Sequence, residues 1–240
     1  MPTRKRITQI RDSVCAVLRL QQINQNQINL SIVGTAWCFV RNKFLITAHH
    51  VFNNGNPRNP ADKFVILRAP NNGSRLERMP IVNFNLEDSQ SDFAILEISD
   101  PTSASIELPA LQISFDKVQD GVDVITYGCP SPEVSNASVV EGQINFNTNL
   151  VATANLGIVS AQVEDRNVPT YFFNVHWFNG ESGGPILTTE SLKVFAIMQM
   201  SKNISTPNGI IPGPRLGRSL LAIQDKIQAL LPTEQAVTSR

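Results

Sequence analysis

The hexapeptide Gly180-Glu-Ser-Gly-Gly-Pro185 is the most informative stretch of this 240-residue chain. Glycines on both sides of Ser182 let the backbone approach a bound molecule closely, and they permit sharp turns that direct successive N–H groups to one point. Such N–H groups can form an oxyanion hole, which stabilises the charge that develops on a carbonyl oxygen. Because a Gly-Ser-Gly-Gly turn alone is more often an ordinary turn, the rest of the chain must supply partners for a nucleophilic serine.

Two orders of catalytic residues along a chain are compatible with this serine. The hexapeptide fits the G-x-S-x-G elbow of α/β-hydrolases, in which an acid and then a histidine follow the serine. The chain has three histidines, His49, His50 and His176, and all of them precede Ser182. Pro185 would also fall early in the helix that such an elbow begins. The order histidine, aspartate, serine therefore remains.

Two upstream segments fill that order. Phe44-Leu-Ile-Thr-Ala-His-His-Val51 is an apolar strand that ends in two histidines, and Gln90-Ser-Asp-Phe-Ala-Ile-Leu-Glu-Ile98 is an apolar strand preceded by an aspartate. With the hexapeptide, these segments resemble the T-A-A-H, D-x-A-[IVL]-L and G-D-S-G-G-P signatures of the trypsin/chymotrypsin-like serine proteases. The separations, 42 residues from His50 to Asp92 and 90 from Asp92 to Ser182, are similar to those of that family.

Further segments resemble the bacterial HtrA-type branch of the family. Gly34-Thr-Ala-Trp-Cys-Phe-Val40 is similar to its G-T-G-F-x-V strand. Residues 118–128 resemble the start of its second barrel, and residues 157–161 resemble a strand within that barrel. The resemblance extends over roughly residues 10–231. Because the chain stops soon afterwards, we expect no PDZ domain of the kind that HtrA-type relatives usually carry.

The resemblance implies a role for each matching residue. Ser182 is the expected nucleophile, His50 the base that accepts its proton, and Asp92 the carboxylate that holds the imidazole in the required tautomer. The N–H groups of Gly180 and Ser182 are the expected oxyanion hole. His50 is favoured over His49 because Thr-Ala-His-His aligns with T-A-A-H, which leaves His49 in the place of an alanine as a packing substitution.

Two other departures from the family pattern concern activation. Glu181 stands where the family usually has aspartate or asparagine before the serine. In the digestive branch that aspartate binds a new N-terminus released by cleavage of a zymogen. The segment Lys5-Arg-Ile-Thr8 could mimic such a cleavage site, but the glycines that normally follow are absent. Activation by cleavage is therefore not expected.

The sequence indicates less about the substrate pocket. His176 lies six residues before Ser182, where trypsin-like enzymes place an acid that binds arginine or lysine. A neutral or weakly basic group there disfavours a strong Arg/Lys preference, because a desolvated cation would lose its partner. Gln199, Met200 and Ser201 align with the strand that lines the substrate channel. An alternative interpretation of His176, a core histidine beside Trp177, stays open.

The strand signals predict the fold class. Short apolar runs bounded by turn residues recur along the chain, as in an all-β protein. With the resemblance, they predict two six-stranded antiparallel β-barrels of the chymotrypsin type, over residues 10–108 and 120–212. The Asn- and Gln-rich stretch 21–29 is expected to be a loop. Residues 219–231 have a helical apolar period that Pro232 ends, so a C-terminal α-helix is expected there.

The composition excludes several classes of protein. Lys+Arg and Asp+Glu number 20 each, so there is no net positive field to hold a nucleic acid or an anionic membrane. Only 17% of residues are charged, which argues against coiled coils and long-helix bundles. The hydrophobic fraction of 42% is ordinary for a protein with a sizeable core.

Cysteine usage and terminal sequence suggest the compartment. Cys15, Cys38 and Cys129 cannot all pair, so we expect three reduced thiols and a cytoplasmic protein. The basic N-terminus resembles the head of a signal peptide, but Arg11 and Asp12 interrupt it before an apolar region could form. No stretch has the length of a membrane span. Cys-x-x-Cys and His-x-x-x-His spacings are absent, so no metal site is expected. The resemblance to the serine proteases implies no cofactor.

The sequence thus predicts a serine endopeptidase that hydrolyses polypeptides through an acyl-enzyme intermediate. The alternative is a catalytically idle or latent protease-fold module that binds peptides or acts as a sensor. The three catalytic residue types in the correct order favour the enzyme. The departures at His49 and Glu181 keep the alternative open.

Overall fold

The structure is a computed structural model. It describes residues 4–24, 27–53, 61–68, 77–98, 107–130, 134–140, 143–148, 150–165, 168–199, 203–206, 209–212 and 215–232. Within these residues the chain forms two closed six-stranded antiparallel barrels, as the sequence predicts. The fold class is confirmed.

The first barrel lies in the N-terminal half of the chain. Its strands are β1 (Val14–Asn24), β2 (Gln27–Val40), β3 (Phe44–Thr47), β4 (Lys63–Arg68), β5 (Glu77–Asp88) and β6 (Phe93–Ile98). Around the barrel they follow the order β1-β2-β3-β6-β5-β4, and β4 pairs with β1 to close the sheet. Strand β3 is buried at every position, and β6 at all but one. Both are mainly apolar, with Thr47 in β3 and Glu97 in β6 as the exceptions, because both of their faces are largely covered.

The hairpin that joins β1 and β2 differs from the expected loop at residues 21–29. Strand β1 continues to Asn24, and β2 already begins at Gln27. Gln21 pairs with Asn29 across the hairpin. Polar side chains suit these positions because an antiparallel hairpin satisfies its backbone groups whatever side chains face the solvent.

The second barrel follows residue 120. Its strands are β7 (Asp123–Gly128), β10 (Thr153–Asp165), β11 (Val168–Phe173), β12 (Pro185–Thr188), β13 (Val194–Met198) and β16 (Arg215–Ser219). They follow the order β10-β11-β16-β13-β12-β7 around a closed barrel. Two hairpins lie outside this sheet: β8 (Val134–Val140) with β9 (Gln143–Thr148), and β14 (Asn203–Thr206) with β15 (Gly209–Pro212).

The second barrel extends beyond residue 212, where the sequence placed its end. Strand β16, Arg-Leu-Gly-Arg-Ser, pairs with both β11 and β13 and is needed to close the sheet. It has one large apolar residue, so no apolar run marked it as a strand. Gly217 lets β16 approach its neighbours, since a Cβ there would lie 2.6 Å from both the Ile186 and the Phe173 side chains.

The described chain has helices near both ends and one short helix within the first barrel. Helix α1 (Arg4–Asp12) precedes the first barrel and was not expected, while the short α2 (His50–Asn53) follows β3. The expected C-terminal helix is present as a 3-10 helix (Leu220–Ile223) that continues into α3 (Gln224–Leu230). Its start is fixed by the Ser219 hydroxyl, which accepts a hydrogen bond from the Leu221 N–H.

The three cysteines are free thiols inside the barrels. Cys15, Cys38 and Cys129 have no exposed surface. Burial raises the pKa of Cys38 to about 12 and that of Cys129 to about 12, because a thiolate would be desolvated there. At neutral pH both groups are therefore protonated and act as small packing groups rather than nucleophiles.

Within the parts of the chain that the structure describes, no helix has the length and apolar character needed to cross a bilayer. No group of three or more His, Cys, Asp or Glu side chains in those same parts could hold a metal ion.

Candidate active site

His50 and Asp92 come together because of how β3 and β6 pair. The two strands are antiparallel with Thr47 opposite Ala94, so the residues just after β3 lie beside those just before β6. The Asp92 carboxylate binds His50 twice: Oδ2 lies 2.8 Å from the ring Nδ1, and Oδ1 accepts from the His50 backbone N–H at 2.9 Å. The Asp92 carbonyl also accepts from the His49 N–H at 3.2 Å. Three bonds thus fix the two turns to each other.

The backbone of Asp92 lies in the left-handed region, with φ of 59°. Among residues with a side chain, Asp and Asn tolerate this conformation best. The positive φ places the carboxylate where it can reach both the backbone and the ring of His50. Strain of this kind is concentrated at functional sites, where the surrounding structure holds it in place.

The bond to Asp92 determines the tautomer of His50. A carboxylate accepts hydrogen bonds, so Nδ1 carries the proton and Nε2 is left with a lone pair. Nε2 is buried and has no hydrogen-bond partner within the described residues, the Ser182 hydroxyl included. The imidazole is therefore held with Nε2 free to accept a proton, and no bond between Nε2 and the serine is formed in this structure.

Helix α2 is anchored by an aromatic cluster beneath it. Phe52 contacts the edges of Phe64 and Phe84, each at a centroid distance of 4.8 Å. This packing fixes the one-turn helix that begins with His50. The ring of His49 instead lies 3.2 Å from the Asn53 side-chain amide, on the same helix, so His50 and not His49 meets the aspartate.

The serine lies between two glycines with positive φ. The Glu181 N–H donates to the Phe178 carbonyl at 3.2 Å, and Gly180, third in this turn, has φ of 92°. A single positive φ at that position defines a type II turn and requires glycine or asparagine. Gly183 has φ of 87°, and its N–H donates to the Met198 carbonyl at 2.7 Å, which ties the loop to β13.

These turns leave two backbone donors available. Among the described residues, neither the Gly180 N–H nor the Ser182 N–H donates to a protein acceptor. These are the two N–H groups that the family resemblance assigns to an oxyanion hole. Gly180 is buried, and Ser182 is partly buried. Unpaired buried N–H groups are rare, so free donors beside the serine indicate a place for an external acceptor.

The serine loop packs against the end of β3 that leads to His50. A Cβ at Gly183 would lie 2.2 Å from Thr47 Oγ1 and 2.7 Å from the Ala48 N. A Cβ at Gly34 would lie 2.4 Å from a Val51 methyl and 3.1 Å from the Ser182 carbonyl oxygen. The structure therefore brings Ser182 beside the turn that carries His50, where the two barrels meet.

The comparisons with known proteins identify the family and the fold. The family model described as the trypsin-like peptidase domain matches residues 34–197, more than half of the chain. The chain belongs to the trypsin-like peptidase family. Among curated proteins, no sequence matches this trypsin-like peptidase.

Solved structures of HtrA-type proteases share the fold of this trypsin-like peptidase. A variant of the HtrA-type protease AlgW with a decapeptide has a TM-score of 0.63 at 13% identity, covering 94% of this chain and 65% of that one. AlgW itself with a decapeptide has a TM-score of 0.62 at 14% identity, covering 93% and 66%. The peptidase chain thus spans just under two thirds of the length of those proteins.

Glu181 has an internal partner in this trypsin-like peptidase. Its side chain is 1% exposed and points into the second barrel. One carboxylate oxygen accepts from the Thr153 hydroxyl at 2.6 Å, and the other from the Phe178 N–H at 2.7 Å. The Glu181 carboxylate thereby adds a second bond between the first and last residues of the type II turn. Thr153 was not recognised from the sequence, where no signal links it to residue 181.

The expected pocket residues lie in different places. His176 is exposed, so it is not a core histidine; the neighbouring Trp177 is the buried residue and packs on Phe173 at 5.9 Å. Gln199 reaches from the second barrel to the first, where its side-chain amide donates to the Ser91 carbonyl, just before β6, at 3.4 Å. The other two expected residues, Met200 and Ser201, lie outside the described part of the chain.

One exposed apolar residue at the site was missed. Phe178 opens the type II turn of the peptidase, and its side chain is 60% exposed. From the sequence alone, an aromatic residue next to Trp177 is predicted to be in the core, because the hydrophobic pattern does not show that the chain turns there. Its exposure adds an apolar surface beside the serine.

Proposed function

We propose that this chain is a serine endopeptidase whose catalytic residues are His50, Asp92 and Ser182. One observation carries the proposal: the Asp92 carboxylate binds both the ring and the backbone of His50 and leaves Nε2 as a buried, unpaired base. Polypeptide is the proposed substrate, and the decapeptide found with AlgW supports this choice.

The chemistry follows from the positions of these groups. Ser182 Oγ attacks the carbonyl carbon of the scissile peptide bond while its proton passes to His50 Nε2, and the carbonyl oxygen becomes an oxyanion. The N–H groups of Gly180 and Ser182 bind that oxyanion. The intermediate collapses to an acyl-enzyme as the amine leaves with the proton from Nε2. Water then repeats the sequence, releasing the acid and restoring the serine.

The Ser182–His50 bond has to form when substrate binds. Catalytic hydrogen bonds of ligand-free enzymes are often long and tighten only in the substrate complex. The imidazole is already held by Asp92, so the serine side chain and its loop make the remaining adjustment.

Labelling with a fluorophosphonate probe tests the proposal, because the probe forms a covalent bond only with an activated serine. We expect one label on the wild-type chain, located on Ser182 by mass spectrometry. Ser182→Ala should remove the label, whereas Ser160→Ala, at an exposed serine on β10, should retain it. Labelling that survives Ser182→Ala would reject the nucleophile. A folded wild type that takes no label would support the idle or latent module instead.

We further propose that the enzyme does not prefer arginine or lysine at the cleavage position. The only acid in residues 174–184 is Glu181, and its carboxylate is buried against Thr153 and the Phe178 N–H. His176 in the same segment is exposed and offers no negative charge. A desolvated cationic side chain would therefore have no carboxylate partner in this segment.

Profiling of a peptide library by mass spectrometry tests this specificity. We expect cleavage after Arg or Lys to be no more frequent than after neutral residues. Cuts also made by Ser182→Ala should be subtracted as contamination, and trypsin provides the positive control. A dominant cut after Arg or Lys would refute the proposed preference.

A further inference from the structure

Thr35 of β2 makes four hydrogen bonds at the boundary between the barrels and is fully buried. Its N–H donates to the Ser182 carbonyl at 2.8 Å, and its hydroxyl donates to the Gly180 carbonyl at 2.7 Å. The same hydroxyl accepts from the Cys129 N–H at 2.8 Å. Its carbonyl accepts from the Thr47 hydroxyl at 2.6 Å. One residue of the first barrel thus holds the serine loop of the second.

The two carbonyls that Thr35 binds belong to the two residues whose N–H groups are unpaired. A bond to the Gly180 carbonyl fixes the orientation of the peptide between residues 180 and 181, and with it the ψ angle of Gly180. Glycine is the residue least able to hold such an angle by itself, because it has no Cβ to restrict it. The contact with Thr35 supplies the restriction that glycine lacks.

We propose that Thr35 is a positioning residue for the oxyanion hole. This inference rests on the proposed function and deepens it. The Thr35 hydroxyl holds the type II turn in the form that directs the Gly180 N–H outward. The Thr35 N–H binds the Ser182 carbonyl and so fixes the ψ angle of the residue that carries the second N–H. The hole is therefore completed from the other barrel, at a residue 145 positions away from Gly180.

The hydroxyl, rather than the size of the side chain, carries this role. The hydroxyl donates its proton to the Gly180 carbonyl and accepts from the Cys129 N–H. Valine at position 35 would fill the same space and lose both bonds. The Gly180 carbonyl would then be buried without a donor. Rotation of the peptide that contains it would relieve this and would turn the neighbouring N–H groups away from a bound oxyanion.

Kinetics of three variants test the proposal with a fluorogenic peptide that the wild type cleaves. We expect Thr35→Val to lower kcat about 100-fold, the lower end of the cost of removing one oxyanion donor, with KM within about threefold. Thr35→Ser retains the hydroxyl and should stay within about fivefold of wild type in kcat. The matched control is Thr126→Val, because Thr126 is equally buried and its hydroxyl has no partner among the described residues.

Two outcomes would overturn the proposal. If Thr35→Val loses stability in urea but keeps kcat within about threefold of wild type, the hydroxyl serves folding alone. If Thr35→Ser loses as much kcat as Thr35→Val, packing by the methyl group matters and the hydrogen bonds do not.

A measurement without substrate separates failure of this proposal from failure of the proposed function. In 15N-labelled protein, the amide resonances of Gly180 and Ser182 should shift in Thr35→Val and remain near their wild-type positions in Thr35→Ser and Thr126→Val. Unmoved resonances in Thr35→Val would reject the positioning role even if the wild type is a protease. If the resonances shift in Thr35→Val but the wild type takes no fluorophosphonate label, the positioning role is supported while the proposed activity fails.

Discussion

Asp92→Asn is expected to lower kcat by about 10⁴-fold with little change in stability. The side-chain oxygen of asparagine can still accept from the His50 N–H, as Oδ1 of Asp92 does at 2.9 Å. The amide NH2 then faces His50 Nδ1, where Asp92 Oδ2 lies 2.8 Å away. Two donors cannot pair, so Nδ1 loses its proton and Nε2 carries one. A protonated Nε2 cannot accept the proton of Ser182.

Asparagine is the appropriate replacement because of the backbone at this position. Asp92 has φ of 59°, which asparagine tolerates nearly as well as aspartate and alanine does not. The loss of rate can therefore be assigned to the tautomer rather than to a distorted turn. The measurement is kcat on the fluorogenic peptide, accompanied by a urea unfolding curve.

Asp88→Asn provides the matched control for Asp92→Asn. Asp88 precedes the same loop, and its Oδ1 accepts from the Gln90 N–H at 2.9 Å and the Ser91 N–H at 3.1 Å. Asparagine keeps that oxygen, so kcat should stay within about threefold of wild type. If Asp92→Asn lost no more activity than Asp88→Asn, the aspartate–histidine pair would not take part in catalysis.

Gly183→Ala is expected to be the most destabilising of these substitutions. The new Cβ would lie 2.2 Å from Thr47 Oγ1, 2.4 Å from the Thr35 carbonyl and 2.7 Å from the Ala48 N, two of which are backbone atoms that cannot rotate away. The residue would also have to adopt φ of 87°. Left-handed backbone costs about 1–2 kcal/mol for an L-residue and overpacking about 1–3 kcal/mol more. The total is a large fraction of the roughly 5–15 kcal/mol that holds a typical domain folded.

Gly121→Ala separates these two contributions. Gly121 has φ of 82°, nearly the same as Gly183, but a Cβ there would have nothing within 4 Å. This variant should lose only the conformational part, about 1–2 kcal/mol. Denaturant unfolding followed by the fluorescence of Trp37 and Trp177, both buried, measures both losses. If Gly183→Ala and Gly121→Ala lost the same free energy of unfolding, the serine loop would not be closely packed against β2 and β3.

The strands of the first barrel show what local sequence predicts well. β3 and β6 were placed almost to the residue because they are mainly apolar, with Thr47 and Glu97 as the exceptions, and are buried on both faces along most of their length. β16 was not predicted, since it joins the barrel with two arginines and a glycine. The end of the β1–β2 hairpin was predicted to be a loop because its side chains are polar. Residues such as Gln21 are nevertheless in a strand there, because they pair with the neighbouring strand.

At the site, sequence order indicated His50, Asp92 and Ser182 but not what holds them. Phe178 and Trp177 are adjacent aromatic residues, yet one is exposed and the other buried, because the chain turns between the barrel and the serine loop. The partners of Glu181 were likewise invisible. Thr153 lies 28 residues away on a different strand, and nothing about a lone threonine marks it as a carboxylate's partner.

The sequence by itself determined the residue types, their order and the glycines that the serine loop requires, because these depend on chemistry and on local backbone geometry. Only the tertiary structure decided that Thr35 reaches Gly180, that Glu181 is bound internally and that Nε2 of His50 has no bond to the serine. Those contacts join residues on separate strands and in separate barrels. Their distances depend on how two closed sheets dock, which no periodicity within either sheet records.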